Sequence, residues 1–290
     1  MPSIDVYNIE GKKVDSVNLS EEIFGIEPNE AKVEVRLLIE HFAGYSLVDI
    51  LMGKKLTEDK LKIVEEKAKL RAKTHEPIQY IIGLADFMGE KFLVNKDVLI
   101  PRDETELLVR KAIEIIKENN FKMVLDMCTG SGCIACMIAK LTNSQAMGVD
   151  ISTEAIHTAF KNMEKFGLYN RAIFRKSDIY SKIREDETFD LIVSNPPYIP
   201  PKEKETIQEE VSYEPDLALY TTDEKGLAFY EKIIKDAPKF LNKGGYLMFE
   251  LGIGQSTSVA QLMKKAGFEN IKVLKDLANI DRVIFGTLQK

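Results

Sequence analysis

The segment Asn195-Pro196-Pro197-Tyr198 is where this chain is best equipped for chemistry. It follows an apolar run, Leu191-Ile192-Val193, that reads as a buried strand. Each proline fixes its own φ and restricts the residue before it, so the strand stops in a stiff turn. Strand ends of that kind are where open α/β sheets bind ligands. Asn195 offers a carbonyl acceptor and an NH2 donor, Pro196 a carbonyl with no competing N–H, and Tyr198 a flat apolar wall. Such a site suits a planar group carrying NH2, either an amide side chain or an exocyclic base amine.

A second group of residues reads as a cofactor cradle. Met123-Val124-Leu125 predicts a strand leading through Asp126 into Cys128-Thr129-Gly130-Ser131-Gly132 and then a helix, Ile134 to Leu141. The glycines let the backbone approach a ligand closely, and the helix amino terminus favours negative charge. Asp150 ends the next predicted strand, 18 positions beyond Gly132, where an acid can accept hydrogen bonds from ribose hydroxyls. The full G-x-G-x-x-G of dinucleotide sites is absent, position 135 being Ala. A nucleoside-bearing cofactor is the expectation. Asp126 lies beneath the glycines, set either to hold the loop or to contact the cofactor.

These groups need a scaffold, and the chain supplies one. Residues from about 30 to 85 read as helical, with apolar stripes Val35-Leu38-Ile39-Phe42 and Leu61-Val64-Ala68 and a helix start at Thr57-Glu58-Asp59. A β-prone stretch, Phe87 to Ile100, follows. From about 103 helices and strands alternate. A helix through Leu108, Ala112, Ile115 and Ile116 ends near Asn119-Asn120. Strands are expected at Ala146–Val149, Ala172–Phe174, Leu191–Val193, Tyr246–Phe249, Ile271–Val273 and Val283–Phe285. A helix carrying Ile156, Ala159, Phe160 and Met163, and others near 226–239 and 256–266, separate them. This alternation predicts a mostly parallel sheet covered by helices on both faces.

Composition sets the class. The 290 residues are 44% hydrophobic and 30% charged, as in an ordinary soluble protein. No apolar run reaches membrane-spanning length, and the start lacks a signal peptide's layout, so a cytoplasmic protein with no membrane partner is expected. The formal net charge of −6 argues against a grip on long duplex nucleic acid, although a local patch of Arg71, Lys73 and Lys91 is conceivable. Cys133 and Cys136 form a CxxC, but with only His41, His75 and His157 scattered elsewhere, helix packing is expected instead of a metal site. His75 and His157 read as surface or packing residues.

The combined motifs resemble a Rossmann-like S-adenosylmethionine-dependent methyltransferase, and within that group the glutamine methyltransferases of peptide chain release factors. The matching residues are Phe87-Met88-Gly89, Ile100-Pro101-Arg102 with Glu104-Thr105-Glu106, Asp126 to Gly132, Gly148-Val149-Asp150 and Ser194 to Tyr198. They continue with Tyr213-Glu214-Pro215 and Ala218-Leu219, Glu250-Leu251-Gly252, and Lys275-Asp276-Leu277-Ala278 with Asp281-Arg282. Asn-Pro-Pro-Tyr alone is shared with DNA and RNA amino-methyltransferases. The fold implied is α/β, a Rossmann-like methyltransferase with a small N-terminal helical domain. The cofactor implied is S-adenosyl-L-methionine, held by Cys128, Thr129, Gly130, Ser131, Gly132, Asp150 and Asn195, with its adenine near Asp178 and Ile179.

The resemblance further implies transfer of a methyl group to the side-chain amide of a release factor's Gly-Gly-Gln glutamine. Asn195, Pro196 and Tyr198 would carry the transfer, and Pro197 and Glu214 would complete the substrate pocket. Tyr213-Glu214-Pro215 either shapes its far side or is a structural loop. Arg102 and Glu106 are expected to brace the domain junction. The alternatives are a glutamine methyltransferase acting on a ribosomal protein and an adenine or guanine amino-methyltransferase. A monomer with release factors as partners, no direct nucleic-acid contact and no metal is expected. Three places depart from the family pattern: Asp103 for a usual proline, Asn279 for a usual glycine, and 221–225 without glycines.

Residues 1–29 resemble the start of bacterial large-subunit ribosomal protein four, through Met1-Pro2, Asp5-Val6-Tyr7-Asn8, Gly11-Lys12-Lys13 and Ile23-Phe24-Gly25. They are read as an extension with no assigned role. The remaining expectation is a substrate-docking helical domain at 30–85, a β-prone linker at 86–102 and a methyltransferase domain at 103–290.

Overall fold

The computed structural model describes residues 3–7, 13–18 and 28–289, and the chain divides into two units. One comprises Met1–Gly83 with Glu209–Tyr213; the other comprises Leu84–Gln208 and Glu214–Lys290. Of the ribosomal-protein resemblance, Met1, Pro2, Asn8, Gly11, Lys12 and Ile23 to Gly25 lie outside the described residues.

In the first unit, β1 (Ser3–Tyr7) and β2 (Lys13–Asn18) pair antiparallel. The helices are α1 (Pro28–Leu38), continued by a π-helical turn at Ile39–Ala43, then α2 (Leu47–Leu51), α3 (Glu58–Thr74) and α4 (Ile78–Ile82). Leu38, Ala43, Tyr45, Val64 and Ile78 form its core. Leu61, expected in the apolar stripe of α3, is instead exposed. Arg71 is buried at 1% exposure, hydrogen-bonded through Nε and Nη2 to Glu34 and through Nη2 to Glu210. It is therefore withdrawn from any basic surface patch. Lys91, in the other unit, pairs with Asp86 at 2.7 Å. The Tyr213 hydroxyl donates to the Thr74 carbonyl, so Glu209–Tyr213 joins the helical unit despite its distance in sequence.

The second unit opens with a hairpin, β3 (Leu84–Phe87) and β4 (Glu90–Leu93). Phe87 and Phe92 are buried in the large core, which makes the expected linker 86–102 part of the second unit. Next come α5 (Asp103–Asn119), β5 (Met123–Met127), α6 (Cys133–Leu141), β6 (Gln145–Asp150), α7 (Thr153–Lys165), β7 (Ala172–Lys176) and β8 (Phe189–Ser194). Short helical turns at Pro201–Thr206 and Glu209–Tyr213 and a four-residue α8 (Asp216–Leu219) occupy the stretch that the sequence left unassigned. Then follow α9 (Ala228–Phe240), β9 (Leu241–Glu250), α10 (Ser256–Lys265), β10 (Phe268–Lys275) and β11 (Asp281–Leu288).

The sheet runs β10-β11-β9-β8-β5-β6-β7, with β11 antiparallel to both neighbours and every other pairing parallel. Strand residues alternate between two cores. Val124, Leu191, Val193 and Met248 join the core that contains residues of α5 and α6, while Leu125, Met127, Ile192 and Phe249 join that of α9 and α10. Cys133 and Cys136 pack inside the first core. Burial raises the Cys133 thiol to about 12 and the Cys136 thiol higher still, so neither is a ready nucleophile. Among the described residues no helix is long and apolar enough to cross a membrane, and no group of three or more His, Cys, Asp or Glu could hold a metal.

The departures from the family pattern have local explanations. Asp103 lies in the first turn of α5, where a carboxylate complements the helix dipole. Asn279 has φ 63°, a left-handed conformation that asparagine tolerates. In place of glycines, Asp223 accepts backbone N–H bonds from Lys225, Leu227 and Ala228, organising the start of α9.

Candidate active site

Sheet register lines up the site. Val149 pairs with Met127, Met127 with Ser194, and Ser194 with Phe249. One residue further along, Asp150, Cys128, Asn195 and Glu250 therefore follow four adjacent strands at the same level. The Ser194 hydroxyl donates to the Met127 carbonyl at 2.6 Å and ties two of those ends together.

The loop after β5 is held from below and from the side. Asp126 is fully buried; its Oδ2 accepts from the Thr129 hydroxyl at 2.5 Å and the Ala135 N–H at 3.1 Å. It holds the loop to the first turn of α6, as one of its two expected roles required. Burial is the main cause that raises it to about 7. Asp150 accepts from Gly130 N at 2.9 Å through Oδ2 and from Ser152 N at 3.0 Å through Oδ1. Burial moves its pKa upward as well. Cys128 and Gly130 have φ of 61° and 54°; a Cβ on Gly130 would meet no protein atom within 4 Å.

A cavity of about 350 Å³ opens at these strand ends. Cys128, Gly130, Asp150, Asp178, Ile179 and Asn195 line it, with Pro197 beside them. Thr129, Ser131 and Gly132 are buried behind this wall and are absent from it. Val98 and Leu99 from the stretch before α5, Leu217 and Ala218 from α8, and Phe229 and Lys232 from α9 close its other sides. None of these six had a sequence signal beyond hydrophobicity or a place in the Ala218-Leu219 motif.

The Asn-Pro-Pro-Tyr turn divides two cavities. Asn195 and Pro197 face the first. Tyr198 lines a second, of about 460 Å³, with Gly252, Ile253, Gln255, Leu227 and Arg282. Pro196 is buried and lines neither. The Tyr198 hydroxyl lies 3.4 Å from Glu250 Oε1, and its carbonyl accepts from Gln255 Nε2 at 3.0 Å. Asn195 Nδ2 donates to Thr105 Oγ1 at 3.2 Å, and Thr105 donates to Glu250 Oε2 at 2.6 Å. Burial raises Glu250 to about 7. Both Thr105 and Glu250 escaped the sequence reading as site residues. The signal for Glu250 was available, since it ends an apolar strand as Asp150 does.

Glu214 does not line either cavity. It is 4% exposed and accepts from Ile100 N at 3.0 Å and from Arg102. Its carboxylate is thus consumed in pinning the stretch before α5, while the neighbouring Pro215 reaches the first cavity. Glu106 accepts from Met88 N at 2.6 Å and tethers the β3–β4 hairpin.

Residues 24–83 match the PrmC N-terminal domain and residues 103–214 the Methyltransferase small domain. The release factor glutamine methyltransferase of Clostridium botulinum is 42% identical over 253 residues, covering 81% of this chain and 89% of that protein. The chain belongs to the release factor glutamine methyltransferase family. Its namesake from Geobacter sulfurreducens is 39% identical over 268 residues, 91% of each chain. Among solved structures, the hMettl16 catalytic domain in complex with MAT2A 3'UTR hairpin 6 aligns with a TM-score of 0.57 at 16% identity. That alignment covers 78% of this chain and 83% of the other, a likeness of fold alone.

This methyltransferase uses S-adenosyl-L-methionine, and the first cavity fits it. The Asp150 carboxylate at one strand end suits a ribose, and Ile179 supplies an apolar flank for a base. The open space beside Gly130 leaves room for a ligand where a side chain would intrude.

Proposed function

We propose that this enzyme methylates the side-chain amide nitrogen of the glutamine in the Gly-Gly-Gln motif of a peptide chain release factor. Identity of 42% to a relative named as a release factor glutamine methyltransferase supports the reading. The carboxamide of Asn195, among the residues that line the first cavity, supports it.

S-adenosylmethionine supplies a methyl group on a positively charged sulfur, ready for displacement by a nucleophile. A glutamine amide nitrogen is a poor nucleophile because its lone pair is delocalised into the carbonyl. The protein must therefore gain rate through positioning. Asn195 Oδ1 accepts a hydrogen bond from the substrate NH2; Pro196, buried and outside both cavities, stiffens the turn that holds Asn195 in place. The Asn195 bond draws density onto nitrogen and fixes the direction of its lone pair. Tyr198 walls the acceptor side and limits water. The methylated nitrogen carries one proton too many and is strongly acidic, so that proton passes to water without a dedicated base. The helical unit docks the protein substrate.

Incubation of the pure enzyme with methyl-labelled cofactor and a bacterial release factor tests the reading. A copy whose Gly-Gly-Gln glutamine is alanine serves in parallel. Label on the first and none on the second is expected; label on both, or only on nucleic acid or a ribosomal protein, overturns the substrate assignment.

A further inference from the structure

Two motifs are left without a chemical role by this mechanism, Glu104-Thr105-Glu106 and Glu250-Leu251-Gly252. They meet behind Asn195. Thr105 is 2% exposed and Glu250 1% exposed, and neither touches the cofactor cavity. The chain Asn195 Nδ2 to Thr105 Oγ1 to Glu250 Oε2, at 3.2 and 2.6 Å, has a fixed sense. We infer that Thr105 and Glu250 are positioning residues that dictate which way round the Asn195 carboxamide sits.

The count of available protons sets the orientation. An ionised carboxylate only accepts hydrogen bonds, and a threonine hydroxyl has a single proton to give. With Glu250 charged, that proton must go to Oε2. Thr105 then offers Asn195 only lone pairs, and an amide facing lone pairs must present its NH2. The carbonyl oxygen is thereby left for the substrate. If Glu250 is protonated, its own O–H can donate to Thr105 and release the hydroxyl proton towards Asn195. The amide can then turn over, aiming NH2 at a substrate NH2, which is a donor facing a donor.

The surroundings of Glu250 poise it between these states. Burial and the nearby Glu104 raise its pKa, to about 7; Arg282 and the hydrogen bonds from Thr105 and Tyr198 oppose them. On its backbone side, Tyr230 donates to the Glu250 carbonyl at 2.9 Å.

The inference rests on the reading of Asn195 as acceptor for the substrate amide, and the experiment separates the two. Turnover of a bacterial release factor and the Kd for S-adenosylmethionine are measured for wild type, Asn195→Ala, Thr105→Val, Thr105→Ser and Glu250→Gln. Expected are a fall in kcat of about 10- to 100-fold in Thr105→Val with cofactor Kd within about two-fold, and recovery to within about three-fold in Thr105→Ser. Wild-type kcat rises with pH through an apparent pKa near 7, and Glu250→Gln is flat between about pH 6 and 8. Wild-type turnover in Thr105→Val, a serine as impaired as the valine, or the same pH limb in Glu250→Gln overturns the relay while leaving Asn195 in place. Full turnover in Asn195→Ala overturns the acceptor reading, and the relay with it.

Discussion

A Cβ added to Gly132 would lie 2.9 Å from the Cβ of Ala159 and 2.8 Å from the ring of Phe174. Gly132 also has φ 77° and caps α6, so its backbone and its surroundings both demand glycine. Gly132→Ala is expected to cost about 2–4 kcal/mol, the sum of a left-handed backbone penalty and overpacking against α7 and β7. A denaturant titration of the whole protein gives the value directly. A change under about 0.5 kcal/mol would mean that Phe174 moves aside freely.

Asp150 holds Gly130 N and Ser152 N while lining the first cavity, the proposed seat of the cofactor. Asp150→Ala is expected to weaken binding of S-adenosylmethionine by about 10- to 100-fold, through the loss of both a ribose acceptor and the loop's anchor. Calorimetric titration measures it. Asp150→Asn should sit between the two, because one acceptor oxygen survives.

Asn195→Ala removes the proposed acceptor for the substrate amide yet leaves Asp150, Cys128 and Gly130 untouched. Turnover should drop by at least about 100-fold while cofactor Kd stays within about three-fold. Single-turnover rates with labelled cofactor distinguish this from slow product release. A rate near wild type would argue for a site elsewhere on the molecule.

How much of this was readable beforehand depends on what kind of signal each residue leaves. The strands β5, β6 and β8 announce themselves as apolar runs closed by a polar residue: Asp126 one place before the end of β5, Asp150 at the end of β6 and Asn195 just after β8. Glu250 ends β9 in the same manner, but an acid after a strand is common and was not singled out. Thr105 leaves no periodic signal, because it acts from the first turn of a helix remote in sequence. Glu214 is the opposite case. A carboxylate beside a proline invites a functional reading, and only the fold reveals Arg102 and Ile100 N already occupying it. Residues 86–102 looked like a linker for want of long-range information, since the burial of Phe87 and Phe92 depends on partners far along the chain.

Asp126, Glu250 and Asp150, all raised by burial, make stability depend on pH. Asp126 moves from 3.8 to about 7 and Glu250 from 4.5 to about 7, in both cases chiefly through burial. Folded pKa values above the unfolded ones mean that the folded state keeps protons which the unfolded chain has released. Their contribution is complete below about pH 4 and is lost as pH rises through about 7. The acids with depressed values, Glu187 and Asp223 at about 2, titrate below this window. The melting temperature should therefore decline from pH 5 to 8, and Asp126→Asn should flatten the slope. A rising Tm over that range would contradict the assignment.

Arg71 has its guanidinium buried against Glu34 and Glu210. Arg71→Met removes the guanidinium that Glu34 and Glu210 share and is expected to destabilise the helical unit by about 1–3 kcal/mol. Calorimetry on the full chain should show an earlier unfolding of that unit with S-adenosylmethionine affinity retained. Coincident loss of cofactor binding would argue against two separable units.

The level register of β6, β5, β8 and β9 also bears on how such an enzyme can diversify. Each strand contributes a single terminal residue, and backbone pairing, indifferent to side-chain identity, fixes where that residue stands. On the proposed reading, the end that meets the nucleoside and the end that meets the methyl acceptor are separate letters in one line of text. A substitution at the acceptor letter leaves the spelling of the cofactor unchanged, so a lineage can exchange the molecule it modifies without relearning how to hold its methyl donor.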